Sequence, residues 1–323
     1  MDQCIYQKVG GSKICFLVLY VDDILLATND KGLLHEVKQF LSKNFDMKDM
    51  GDATYVIDIE IHRDRFRGLL GLSQETYINK VLERFRMKDC SPSITLTMKS
   101  DRFNLDYLMY AQVCTRPDIA FAVGMLGRYQ SNLGIDHWKV AKKVMKHLLR
   151  TKDYMLMYRR INNLEVTGYS NSNYAGCIDL RKSTSGYVFM LAGGTVSWRS
   201  SKQTLTATST MEAEFVSCFE ATSHGVWLKS YISGLRIVDS ISMPLKTYCD
   251  NLTVVFMAKN NKSSSQNKHI NIKYLAIRER VKEKIVVIEH VSTELMIVDP
   301  LTKGMPPLKF KDYVDRLGLG SFV

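Results

Sequence analysis

Long apolar runs are missing from this sequence. The longest near the start, Ile14 to Val21, is stopped by Asp22 and Asp23, whereas a bilayer-spanning helix needs about 20 apolar residues. No small-residue cleavage site follows that run, so it does not read as a secretory signal. Cysteine is sparse and odd in number, seven in all, at Cys4, Cys15, Cys90, Cys114, Cys177, Cys218 and Cys249. No C-x-x-C pair occurs, which argues against both a disulfide framework and a zinc site. No repeat of solenoid period is visible. Acidic residues are in deficit, 33 against 44 Lys and Arg, for a net charge of +11 and a pI near 9.2. That balance favours a polyanionic partner such as nucleic acid, although taken alone it also fits an anionic membrane surface. The expectation is a soluble protein of a reducing compartment, cytoplasm or nucleus, with no membrane partner.

The 323 residues are 46% hydrophobic, 24% charged and 10% aromatic, a globular composition with room for two domains. The opening reads as strands: Cys4 to Val9, a Gly10-Gly11 turn, Ile14 to Val21, then Ile24 to Thr28 around a two-residue Asp22-Asp23 loop. A helix follows Asn29 or Asp30, with Leu33, Leu34, Val37, Phe40 and Leu41 at helical spacing. Strands are expected at Tyr55 to Ile61 and Leu69 to Leu72, and then a helix capped by Ser73. From Cys90 to about Asp106 the pattern dissolves into a joint. Helices resume at Ile119 to Tyr129 and Trp138 to Leu149. On the second, Lys139, Lys142, Lys143, Lys146 and Arg150 gather on one face. After Leu164 come strands at Val166 to Ser170, Gly186 to Leu191 and Thr195 to Arg199, with Gly193-Gly194 as a turn. A helix from Thr210 to Gly234, strands at Leu245 to Cys249 and Val286 to Val291, and intervening helices complete the pattern. Strands and helices mix without strict alternation, which makes the class α+β.

Two groups of residues carry chemistry. Tyr20-Val21-Asp22-Asp23 projects two carboxylates from the end of apolar strands, where a divalent cation and phosphates can meet. Aspartate is also an ordinary turn residue, and the only acidic residue upstream of Asp22 is Asp2. The second group is Asn171, Glu214, Asp250 and Asp299, at the ends of separate elements. Carboxylates converging in this way can bind two Mg²⁺ ions. Each has a competing explanation. Ser209-x-x-Glu212 is a capping box that leaves Glu214 on another helix face. Asp250 can cap the helix after its strand, and Asp299 before Pro300 suits a helix start. Judged singly, capping is the stronger reading of Asp250 and Asp299.

Ten segments together are more specific than either group: LVLYVDDILLAT (17–28), LSQETYINKVLERFRM (72–87), TRPDIAFAVG (115–124), GYSNSNYAGC (168–177), RKSTSGYVFMLAGG (181–194), VSWRSSKQ (196–203), STMEAEF (209–215), YCDN (248–251), KHINIKYLAIRE (268–279) and DPLTKG (299–304). In content and order the chain resembles the C-terminal part of the Pol polyprotein of copia-type LTR retrotransposons. The resemblance implies the C-terminal part of a reverse-transcriptase palm (residues 1–90), a thumb- or connection-like helical segment (91–160), and an RNase H-like domain (161–323) with a mixed five-stranded sheet and flanking helices. It places Asp22 and Asp23 in the polymerase metal motif, with Asp22 the direct ligand. Asn171, Glu214, Asp250 and Asp299 take the four metal-holding positions of the RNase H site. The implied cofactor is a pair of Mg²⁺ ions, and the implied partner is an RNA–DNA hybrid or another nucleic acid. The ancestral activities are RNA-directed DNA synthesis and cleavage of RNA in hybrids.

The chain also departs from that pattern. The first palm segment, with the other polymerase aspartate, would precede Met1, so polymerisation by this chain alone is not expected. The joint near Phe103 to Leu108 is shorter than in relatives, and Asp106 stands beside it. Asp58 stands where relatives tend to have glycine in a strand. Above all, Asn171 and Asn173 stand where the family has, or commonly has, aspartate. An amide at the bridging position removes one of the charges that offset repulsion between two dications, so RNase H turnover is expected to be severely reduced. Two other readings compete: a working nuclease in which another carboxylate such as Asp179 substitutes, and a non-catalytic basic nucleic-acid-binding protein reusing the fold.

Overall fold

The computed structural model describes residues 4–87, 104–130, 134–177, 181–235, 244–260 and 268–322. Asp2, Cys90, the joint up to Phe103, and Asp179 lie outside these residues. The first strands, β1 (Ile5–Gly10), β2 (Lys13–Tyr20) and β3 (Asp23–Thr28), form an antiparallel three-stranded sheet. Helix α1 (Lys31–Asn44) follows, its N-cap Asp30 accepting from Leu33 N at 2.7 Å. Both hairpin loops differ by one residue from expectation. Tyr20 pairs with Asp23 and Gly10 with Lys13, so the loops are Val21-Asp22 and Gly11-Ser12. Val21 takes up a left-handed backbone, φ 51°, to close the turn.

A second sheet draws strands from both ends of the chain: β4 (Tyr55–Val56), β5 (Ile59–Asp64), β6 (Leu69–Ser73), β7 (Met155–Arg159) and β13 (Leu319–Gly320), in the order β13-β7-β6-β5-β4. Neither β7 nor β13 was expected. Met155 to Arg159 shows no alternation, and β13 is too short for a pattern. Helices α2 (Glu75–Arg84), α3 (Asp106–Cys114), α4 (Ala120–Gly127) and α5 (Ile135–Arg150) pack beside it around Ile78, Leu82, Leu108, Leu126, Met145 and Leu148. Helix α3 was also unexpected. Its first residue, Asp106, closes the joint instead of belonging to it.

The third sheet carries the candidate site. Its strands β8 (Thr167–Cys177), β9 (Lys182–Leu191), β10 (Gly194–Lys202), β11 (Leu245–Cys249) and β12 (Val286–His290) lie in the order β10-β9-β8-β11-β12. The first three are antiparallel, and β8, β11 and β12 are parallel. This is the mixed five-stranded arrangement expected above. Helix α6 (Thr210–Gly234) lies on the sheet, burying Phe215, Cys218 and Ala221 with Phe189, Leu245, Val286 and Ile288. Helices α7 (Leu252–Lys259) and α8 (Lys268–Lys282) follow, and α9 (Pro307–Arg316) leads into β13. A separate core joins Ala120 of α4 to Val188, Met296, Val298 and Leu301. Among the described residues, no helix is long and apolar enough to cross a membrane.

Candidate functional site

Four elements bring Asn171, Glu214, Asp250 and Asp299 to one end of the third sheet. Strand β8 runs on beyond Ser170, so Asn171 lies within the strand, paired with Gly186 of β9. On α6 the cap is built as its sequence requires. Ser209 accepts from Glu212 N at 3.2 Å, and Glu212 Oε2 accepts from Thr208 N at 2.8 Å. This occupies Glu212 structurally and leaves Glu214, two residues on, turned to the sheet and only 5% exposed.

The caps expected of Asp250 and Asp299 are not found. Asn251, not Asp250, is the N-cap of α7, and its Oδ1 accepts from Thr253 N and Val254 N. Asp299 lies inside a 3-10 turn, Asp299–Leu301, which has no side-chain cap. Both carboxylates are therefore free of capping duty. Gly186 and Ser217, which the sequence did not single out, hold the site together. A Cβ on Gly186 would stand 2.6 Å from Thr302 Cγ2, so the Asp299 segment reaches the sheet only because that position has no side chain. Ser217 Oγ donates to the Asn171 carbonyl at 2.7 Å, tying β8 to α6. A glycine interrupting an apolar strand was the available signal for the first.

The pocket divides into two halves. In one, Asn171 Oδ1 accepts from Ser172 N at 2.6 Å and Nδ2 donates to Asp299 Oδ1 at 2.5 Å. The two contacts fix the orientation of the amide, since only its nitrogen can donate to a carboxylate. Lys303 Nζ, one helical turn on, meets the other oxygen of Asp299 at 2.9 Å. In the second half, Glu214 Oε1 accepts from Ser172 N at 3.1 Å, while Oε2 is buried with no hydrogen-bond partner. Glu214, Cys249 and Asp250 each place a ligand-capable atom within 4.8 Å of the other two. Burial, followed by the neighbouring Asp250 carboxylate, pushes the Glu214 carboxyl up to about 8. Burial and then Asp299 raise Asp250 as well, and burial lifts the Cys249 thiol well above its usual value. These raised values mark a pocket crowded with negative charge and short of water.

Asp22 and Asp23 lie elsewhere, on the exposed β2–β3 hairpin. Asp22 is in the loop and Asp23 opens β3. Among the described residues no further acidic, His or Cys side chain joins them in a group able to hold a metal.

Residues 1–99 match the reverse transcriptase (RNA-dependent DNA polymerase) family model. The chain is 36% identical to the retrovirus-related Pol polyprotein from transposon TNT 1-94 of Nicotiana tabacum, over 99% of this chain and 26% of that protein. It is 31% identical to the corresponding polyprotein from transposon RE2 of Arabidopsis thaliana, over 98% of this chain and 23% of that protein. The chain thus spans about a quarter of the length of these curated relatives. Among solved structures, the foamy viral protease-reverse transcriptase in complex with dsDNA superposes with a TM-score of 0.51 at 14% identity, over 86% of this chain and 55% of that one. At that identity the likeness is one of fold.

Proposed function

Since the chain belongs to the Pol polyproteins of copia-type retrotransposons, we propose that it is a reverse-transcriptase and RNase H segment that binds nucleic acid through a basic surface and has lost most of its hydrolytic power. One observation carries this reading: the Asn171 amide donates to Asp299 where the family has a carboxylate. Paired Mg²⁺ ions, when bound in such a pocket, supply an activated water and stabilise the leaving oxygen. The residues present fit that pair only in part. Glu214 and Asp250 offer carboxyl oxygens, one of them buried and unpartnered. Asn171 and Asp299 do not fit, because the amide has no charge, its oxygen is taken by Ser172 N, and Lys303 already neutralises Asp299. No hydrolytic step is therefore assigned to the chain as it stands.

Nucleic-acid binding draws support from the net charge of +11 and from α5. There Lys139 pairs with Asp136 and Lys142 lies over the Trp138 ring. Lys143, Lys146 and Arg150 have no carboxylate partner among the described residues. Cations left unpaired on one helix face are suited to phosphates.

The test compares the native chain with Asn171→Asp in Mg²⁺, measuring cleavage of an RNA–DNA hybrid. The native chain should cleave near background, and the reverted chain at least about tenfold faster, equivalent to 1.36 kcal/mol of barrier. Brisk native cleavage abolished by Glu214→Ala would overturn the reading in favour of a working nuclease. Hybrid affinity unchanged by Glu214→Ala and Asp250→Ala, with no cleavage by either chain, would favour a binding protein that reuses the fold; the Lys303–Asp299 pair is the observation on that side. Replacing Lys143, Lys146 and Arg150 by Gln should weaken hybrid binding and flatten its salt dependence by about one unit of slope for each phosphate no longer neutralised.

A further inference from the structure

We propose that the pocket holds a single thiophilic divalent ion of the zinc or cadmium class between Glu214, Cys249 and Asp250, instead of a pair of magnesium ions. The inference builds on the reading of the pocket as an altered metal site. It concerns metal alone, so it stands or falls separately from hybrid binding and cleavage.

Few donors in the pocket remain free for a cation. Both polar atoms of Asn171 and both oxygens of Asp299 are engaged within the protein, by Ser172 N, by each other and by Lys303. Glu214 Oε2 is buried and unpartnered in a residue only 5% exposed. Asp250 accepts from its own backbone N–H and, at a long 3.5 Å, from Thr293 Oγ1, which leaves lone pairs for a cation, and Cys249 is in no disulfide. An unpartnered buried carboxylate oxygen is a standing cost, and a cation removes it.

Charge points the same way. With Asn171 neutral, two dications facing Glu214, Asp250 and Asp299, with Lys303 beside them, would leave an excess of two positive charges in a buried pocket. One dication with a Cys249 thiolate leaves a single negative charge. Ligand type agrees. A sulfur and two carboxylate oxygens are a poor set for Mg²⁺, which keeps to oxygen in octahedral geometry, and a good one for zinc or cadmium. Zinc bonds of about 2.3 Å to sulfur and about 2.0–2.2 Å to oxygen place ligand atoms nearer than 4.8 Å to one another, so a modest contraction closes the site. The Cys249 thiol proton and the Glu214 carboxyl proton leave to solvent as the metal bonds form. Asp250, which is half-exposed, opens the way in, and water completes the coordination.

Full-length protein titrated with Cd²⁺ should show the ultraviolet thiolate-to-cadmium charge-transfer band saturating at one equivalent, undiminished by excess Mg²⁺. Zn²⁺, followed by competition with a chromophoric chelator, should bind at the same stoichiometry. The band should vanish in Cys249→Ser and persist in Cys218→Ser and Cys4→Ser. Zinc affinity should fall at least about tenfold in Glu214→Gln. A band surviving in Cys249→Ser, displacement of Cd²⁺ by Mg²⁺, or unchanged zinc affinity in Glu214→Gln would each overturn the proposal. Should Cys249→Ser fail to fold, Glu214→Gln preserves side-chain volume and decides alone.

Discussion

Arg116 has no exposed surface, and its place inside the protein depends on Asp118. Its Nε and Nη2 donate to the two Asp118 oxygens at 2.9 and 2.7 Å, and Nη1 donates to the Thr151 carbonyl at 3.0 Å. His147 Nε2 completes the cluster 2.6 Å from Asp118 Oδ2. Burial alone would raise the Asp118 carboxyl, but Arg116 and His147 outweigh it and hold the group well below the usual carboxylate range. Asp118→Asn strands a buried guanidinium and should cost about 3–5 kcal/mol in urea unfolding at neutral pH. The pH dependence has a definite sign. The unfolded aspartate takes up a proton near pH 4 while the folded one stays ionised, so this contribution is complete above about pH 4 and fades as pH falls further. The native chain should lose stability steeply below that point, and Asp118→Asn should lose less. Equal slopes would exclude the cluster as the cause. TRPDI was legible as a recurrent motif but not as a buried ion pair, because the partners His147 and Thr151 lie about thirty residues away in sequence. Asn171 was legible as a substitution. That its amide would reach Asp299, 128 residues on, was not.

Among elements, the clearest strain is in the β4–β5 hairpin. Val56 pairs with Ile59, which makes Ile57 and Asp58 a two-residue loop with φ 52° and 53°. The sequence placed Asp58 inside a strand. It sits instead in a turn, accepts from Tyr55 Oη at 2.5 Å, and lies 3.6 Å from Lys80. Positive φ at both loop positions is the geometry that Asn-Gly satisfies and a β-branched residue resists. This gives a backbone reason for the glycine expected at position 58. Converting the pair by Ile57→Asn with Asp58→Gly should stabilise the chain by about 1 kcal/mol, read as a higher melting temperature. A lower one would mean that the Tyr55–Asp58 bond and the packing of Ile57 outweigh the strain. The β1–β2, β2–β3 and β9–β10 hairpins were legible to within one residue because turn chemistry fixes a neighbourhood and pairing fixes the register, whereas the β4–β5 hairpin, with no glycine or proline at its turn, was read as one strand. Helix α6 was read to its ends because Ser209 caps it and its apolar face is continuous. Strand β7 was not read, since its pattern is set by neighbours from both ends of the chain.

Across the whole molecule, burial is unevenly shared between the front of the chain and the rest. Among described residues up to Thr54, only Cys15 and Leu33 are buried, while Tyr6, Val9, Tyr20, Phe40 and Phe45 are exposed. Residues from Tyr55 to Arg159 are instead sewn to the third sheet. Strand β13 pairs with β7, Met157 N donates to the Gly318 carbonyl at 2.8 Å, and Arg159 N donates to the Ala192 carbonyl at 2.8 Å. Tyr158 Oη donates to the Thr195 carbonyl at 2.8 Å, and Trp198 Nε1 to the Gln112 carbonyl at 3.0 Å. Cutting at residue 160 would exchange these hydrogen bonds for bonds to water, at about 0.5–1.5 kcal/mol each, and would strip Ala120 from the core around Val188 and Leu301. Residues 161–323 alone should therefore unfold at lower urea than the same sheet in the full chain, despite shedding the apolar surface at the front. Limited proteolysis should cut first in the exposed stretch between Phe45 and Thr54 and leave a resistant fragment that keeps β5, β6 and β7 together with β8 to β13. If the first resistant fragment began near residue 161 instead, the β7–β13 seam would be weaker than its hydrogen bonds imply, and the candidate pocket would be a free-standing unit.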